Sequence, residues 1–134
     1  MELSRYMTIA TADADGVPWA TPVWFAAEGE DALLWVSDPD ARHSRNIAVR
    51  PRVAIVVFDS GVAPADAAGL YLTADAALAE PSAVVAFSRA SVAQGLAAWG
   101  VEDVTGAARH RLYRAEIRNR WALGPGDRRM PLAR

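Results

Sequence analysis

Tyr6-Met-Thr-Ile-Ala-Thr-Ala12, Asp13-Ala-Asp-Gly16 and Val17-Pro-Trp-Ala-Thr-Pro-Val-Trp-Phe-Ala26 follow one another without a break, and this stretch decides the fold. The first run reads as a strand. The four residues after it read as a tight turn in which Gly16 supplies positive φ. The chain then returns as a second strand, with Trp19, Thr21, Val23 and Phe25 on one face. A further turn at Glu28-Gly-Glu-Asp31 leads into a third strand, Leu33–Ser37, where Leu33, Trp35 and Ser37 alternate with Leu34 and Val36. Strands joined by short reversals make an antiparallel meander.

The rest of the chain extends this pattern. Asp38-Pro-Asp40 predicts a helix start capped by an aspartate, with the helix covering Ala41–Val49 and ending before Pro51. Val53-Ala-Ile-Val-Val-Phe58 is unbroken and apolar, the pattern of a strand buried on both faces. Residues 59–69 read as a loop, and Leu70–Leu78 as a strand with Leu70, Leu72, Ala74, Ala76 and Leu78 facing one way. Ala83–Arg89 and Val92–Trp99 predict two helices. The last strand, Arg111–Leu123, places Tyr113, Ala115, Ile117, Trp121 and Leu123 on its apolar face and Arg114, Glu116, Arg118 and Arg120 on its wet one. With about six strands, a few helices and no βαβ alternation, the chain is expected to be mainly β. It reads as one antiparallel barrel domain over residues 1–134 with helical decoration.

Composition removes several classes of function. The 134 residues include no cysteine, which excludes disulfides and thiolate zinc sites. No apolar run approaches the ~20 residues of a membrane span, and Met1–Arg5 lacks the start of a secretory signal. A net charge of −2 gives no pull toward nucleic acid or an anionic membrane. These features predict a cytoplasmic protein with a small-molecule substrate and neither membrane nor nucleic-acid partners. No metal-site spacing, nucleophile elbow, Walker loop or dinucleotide glycine fingerprint is present. Demanding chemistry here would need a bound cofactor.

Two features mark where such a cofactor would sit. In Ser37-Asp-Pro-Asp-Ala-Arg-His-Ser-Arg-Asn46, a hydroxyl from Ser37 or Ser44, two arginines and a helix start form a set of groups that suits phosphate. The same spacing is also what solvated surface arginines give. Pro22 lies inside a strand, which implies a sheet edge, a bulge or a ligand beside the backbone.

The order Asp15-Gly-Val-Pro18, Thr21-Pro-Val-Trp-Phe25, Leu34-Trp-Val-Ser37, Ala41-Arg-His-Ser-Arg-Asn-Ile47, Pro51-Arg-Val53 and Gly69-Leu-Tyr-Leu72 resembles the flavin-binding split barrels related to pyridoxamine 5'-phosphate oxidase. The resemblance covers residues 5–80 well and the C-terminal strand loosely. It implies a six-stranded split barrel, a homodimer, and flavin mononucleotide (FMN) bound at the subunit interface. By position, Thr21, Pro22 and Val23 would run along the flavin ring edge, and Val36 and Ser37 would lie at the ring and ribityl–phosphate side. Arg42 and His43 would take the places of the phosphate-binding basic pair, with Arg45 one step further on. Trp121 resembles an aromatic that reaches the cofactor from the other subunit.

The departures from the family pattern carry expectations of their own. His43 stands where the family often has lysine, which predicts cofactor affinity that weakens as pH rises from about 6 to 8. Ala67-Ala68 replaces a glutamine, and Asp127-Arg128-Arg129 only faintly echoes the motif that binds the substrate phosphate of vitamin B6 oxidases. The family resemblance implies a flavin-dependent oxidoreductase. The alternatives are a deazaflavin coenzyme, whose polyanionic tail would favour an extended basic groove that the sequence does not offer beyond Arg42, Arg45, Arg50 and Arg52, and a non-catalytic flavin or haem binder.

Overall fold

The computed structural model describes residues 6–58, 69–123 and 128–132. Its strands are β1 (Tyr6–Ala12), β2 (Pro18–Trp24), β3 (Ala26–Glu28), β4 (Ala32–Ser37), β5 (Arg52–Phe58), β6 (Gly69–Leu78), β7 (Arg111–Leu123) and β8 (Arg129–Pro131), and its helices are α1 (Arg42–Val49) and α2 (Val84–Ala93). All eight strands belong to one sheet in the order β2-β1-β5-β6-β7-β4-β3, with β8 beside β7. Every pairing is antiparallel.

The two edges of this sheet, β2 and β3, are separated in sequence by Phe25 alone. A chain that passes from one edge to the other through one residue forces the edges together, so the sheet must curl into a split barrel. The expected second strand, Val17–Ala26, is therefore broken at Phe25, and this break with the short β8 raises the strand count above six. Because β2 is an edge, Pro22 costs the ladder no bond that a neighbour needs.

Two apolar clusters stabilise the curl. Inside the barrel, Met7, Ile9, Leu33, Trp35, Ile55, Leu72, Tyr113 and Ile117 are packed together, with Trp35 stacked on Tyr113 at 5.8 Å. Outside it, Ala26, Leu34, Val84, Phe87, Val104 and Leu112 fasten α2 to β3, β4 and β7. The strand covered on both faces is thus β4. The β5 run instead alternates, with Val53, Ile55 and Val57 buried and Ala54 and Phe58 exposed, so the expectation of two buried faces does not hold within this chain. An unbroken apolar run cannot by itself say what covers its second face.

Three other expectations are corrected. Only one helix forms in place of Ala83–Arg89 and Val92–Trp99: α2 closes at Gln94, and Gly95 at φ 77° turns the chain away. No aspartate caps α1, because its cap residue is Ala41 and Asp38 bonds elsewhere. A bulge on β7 pairs Thr73 with Asn119 but Ala74 with Ile117, leaving Arg118 over. Beyond it the strand's phase flips. Trp121 then pairs with Tyr71 on the outer face, and Arg120, paired with the buried Leu72, turns toward the Glu30 carbonyl and Asp31. The loop assigned to 59–68 and the Ala67-Ala68 departure lie outside the described residues, as does Asp127.

Candidate functional site

The site is built where β4 ends and α1 begins. Alternation along β4 buries Trp35 in the barrel and brings Ser37 to its rim. A tight turn follows, in which Asp38 accepts hydrogen bonds from the backbone N–H of Asp40 at 2.9 Å and from Arg109 Nε at 2.9 Å. These bonds, that from Asp40 first, hold the Asp38 carboxyl below its ordinary pKa. The helix then starts without a capping side chain and without an acidic residue in its first turn. No side chain therefore caps its leading N–H groups.

Asn46, one turn into α1, is buried and fixes the helix to the hairpin. Its Nδ2 donates to Thr11 Oγ1 at 3.0 Å, and Thr11 Oγ1 in turn donates to the Trp19 carbonyl at 3.5 Å. Arg42 lies four residues before Asn46 on the same face, and its guanidinium sits 4.3 Å over the Trp19 ring. His43 points the other way, with Nε2 2.9 Å from Ser37 Oγ. Burial pushes the His43 pKa down, so the imidazole is neutral at pH 7. The pH window expected for His43 therefore shifts downward from the 6–8 range.

An open cleft of about 680 Å³ lies beside this pair. Pro22, Val23, Val36, Ser37 and His43 line it, so five of the nine expected residues meet in one place. The other four do not. Thr21 pairs with Ile9 in the β1–β2 ladder, and Arg42 is drawn onto Trp19. Arg45 lines a separate recess of about 430 Å³ with Pro51, Leu78 and Tyr113. Trp121 lies on the outer sheet face with Thr8, Val56 and Tyr71.

The opposite wall holds residues the sequence reading missed. Phe87, Ser91, Leu96, Ala97, Trp99 and His110 complete the cleft. Trp24 meets Phe87 edge-to-face at 5.3 Å, Phe87 meets Trp99 at 5.8 Å and Trp99 meets His110 at 6.2 Å. The signal available in the sequence was the register of β7, since Arg111 pairs with Ser37 and so brings the residue before it to the same rim. Among the described residues no group of histidine, aspartate and glutamate could hold a metal ion. No helix there is long and apolar enough to cross a membrane.

A hydroxyl, an imidazole, uncapped N–H groups and a nearby guanidinium suit a phosphate, and the apolar floor of Pro22, Val23 and Val36 suits a flat ring. The residues present therefore fit a flavin nucleotide.

A family model described as pyridoxamine 5'-phosphate oxidase matches residues 1–123. The chain is similar in structure to a heme binding protein from Mycobacterium smegmatis, with a TM-score of 0.76 and 21% identity over 97% of this chain and 53% of that one. It thus spans about half the length of that protein. It is also similar to HutZ, the heme storage protein from Vibrio cholerae, with a TM-score of 0.66 and 20% identity over 85% of this chain and 82% of that one. An F420 reductase matches with a TM-score of 0.63 and 19% identity, over 89% and 90% of the two chains. No curated protein sequence matches the chain.

Proposed function

Because the chain belongs to the pyridoxamine 5'-phosphate oxidase family, we propose that it is an FMN-dependent oxidoreductase acting on a small organic substrate. The observation that carries this reading is the Ser37–His43 pair at the uncapped start of α1, set beside an apolar cleft. Bound flavin would supply hydride transfer. The chain's own part is to hold the phosphate at Ser37, His43 and the first turn of α1, with Arg42 swinging from Trp19 to reach it. Pro22, Val23 and Val36 seat the ring.

The arginines favour FMN over a deazaflavin coenzyme. Arg50 is spent on the carbonyls of Asp13 and Ala14 at 2.7 and 3.0 Å, and Arg52 on Asp75 at 2.6 Å. Arg45 faces a different recess, so these residues form no continuous basic groove for an anionic tail. A homodimer is supported by the outer sheet face, where Ala54, Phe58, Tyr71 and Trp121 lie uncovered or half-covered. A partner on this face would bring Trp121 toward the cofactor.

Haem is the second reading, favoured by two imidazoles, His43 and His110, lining one aromatic cleft. Two similar structures are described as heme-binding or heme-storage proteins. One experiment separates the readings: incubate the protein with FMN or with haem, remove the unbound compound, and record the visible spectrum. A retained, shifted flavin band supports the first reading. A retained Soret band without flavin retention replaces it with the second.

A further inference from the structure

We propose that the wall formed by Phe87, Leu96, Trp99 and His110 is a subsite for a flat aromatic ligand carrying a carboxylate, carbonyl or phenolic oxygen. The ligand would seat beside the cofactor, so the placement rests on the cofactor reading while the binding itself does not. The ring array is the first ground. Trp24, Phe87 and Trp99 meet edge-to-face, at interplanar angles of 89° and 78°. Phe87 is buried and backs the array, whereas Trp24 and Trp99 are partly exposed where they line the cleft, so these two rings are the ones that can meet a planar guest.

Preorganisation is the second ground. The segment after α2 has little regular structure, yet it is tied at close intervals. Trp99 N donates to Ser88 Oγ at 2.8 Å, Ser91 Oγ to the Ala97 carbonyl at 2.6 Å and Leu96 N to the Ser91 carbonyl at 2.9 Å. Arg111 donates to the carbonyls of Gly106, Ala108 and His110 at 2.8, 2.6 and 2.8 Å, and Arg109 is bonded to Asp38. A wall fixed in this way loses little entropy on binding. It also presents Leu96, 52% exposed, at the lip of the cleft, where an apolar side chain contributes little to the core.

Charge sets the ligand class. Among the described residues no carboxylate lines the cleft, and its ionisable members there are Tyr6, His43 and His110. Asp38, the nearest acid along the rim, is already held by Arg109. A cationic guest would find no carboxylate among these lining residues, whereas an oxygen acceptor would find the His110 imidazole next to Trp99.

The test is a tryptophan-fluorescence titration of the full chain with 2-naphthoate, 2-naphthylmethylammonium and cyclohexanecarboxylate. Naphthoate should bind about tenfold or more tightly than either of the others. Trp99→Ala should weaken it about tenfold, and His110→Ala about fivefold with recovery in His110→Gln, which keeps a donor. Leu96 is exposed, so Leu96→Asp leaves the fold intact and should weaken naphthoate by a similar factor through repulsion even if Trp99→Ala misfolds. Equal affinity for the three probes, or no effect of Leu96→Asp and His110→Ala, overturns the subsite. Stoichiometric displacement of naphthoate by FMN also overturns it, since the wall would then belong to the cofactor. Naphthoate binding without FMN retention leaves the subsite standing and sinks the flavin reading instead.

Discussion

Ser37 Oγ and His43 Nε2 lie 2.9 Å apart and join the rim of the barrel to the first turn of α1. The contact makes the imidazole a neutral partner of a hydroxyl, because burial lowers its pKa. On the proposed reading, the cofactor phosphate would meet this neutral pair where the family often has lysine.

That relationship gives a pH dependence with a definite sign. An unfolded histidine titrates near ~6.5, and His43 in the folded chain titrates lower. As pH falls, the unfolded state takes up the proton first, so stability is complete above about pH 7 and declines as pH drops toward the folded value. Urea midpoints should fall between about pH 7 and about pH 5, and His43→Asn should remove part of that fall. An identical pH profile in the variant would show that His43 is not the group responsible.

Arg42 rests on the Trp19 ring and has to leave it to meet a phosphate. A charge-assisted hydrogen bond contributes roughly 1.5–3 kcal/mol, so Arg42→Ala should weaken FMN binding by about 10- to 100-fold. Arg42→Lys should recover only part, lacking the planar fork. Trp19→Ala should change affinity by no more than about fivefold, since it removes a competing contact worth roughly 0.5–1 kcal/mol. Calorimetric titration of the three variants with FMN checks the order. A larger loss for Trp19→Ala than for Arg42→Ala would place the phosphate elsewhere.

The outer sheet face predicts the assembly. Light scattering should give twice the 14.4 kDa of the chain. Val56→Asp, in the middle of that face beside Tyr71, should return a mass near a single chain and lose FMN retention with it. A variant that stays dimeric would move the interface to another surface.

Trp35 is fully buried, stacked on Tyr113, and its Nε1 has no hydrogen-bond partner. Trp35→Ala should cost about 3–5 kcal/mol through the cavity it leaves. Trp35→Phe should cost less than about 2 kcal/mol, because it also removes an unpaired N–H whose burial costs roughly 1–3 kcal/mol. Urea unfolding of both variants tests this. Equal losses in the two variants would show that the buried volume does not set the cost.

Much of the barrel was legible because its hairpins are local: β1, the Gly16 turn and β4 follow directly from alternation and turn chemistry. What alternation cannot show is a break in phase. The Phe25 break and the leftover Arg118 each shift the pattern by one residue, and the second sends Trp121 to the face opposite the one its spacing implied. The double burial of β4 rather than β5 depends on where α2 docks, which is a long-range contact. In the site, Ser37 and His43 are six residues apart, and the family resemblance placed both at the cofactor, while their contact with each other is seen only in the structure. His110 and Trp99 reach the cleft only through the β4–β7 register and through hydrogen bonds from Ser88 and Ser91, contacts that no short motif encodes.

The most direct test compares FMN with riboflavin, which lacks the phosphate, by calorimetric titration of the unmodified protein at pH 7. If Ser37, His43 and the start of α1 hold the phosphate, FMN binds about 100-fold more tightly than riboflavin. Equal affinities, or no binding of either compound, would contradict a flavin phosphate at this site.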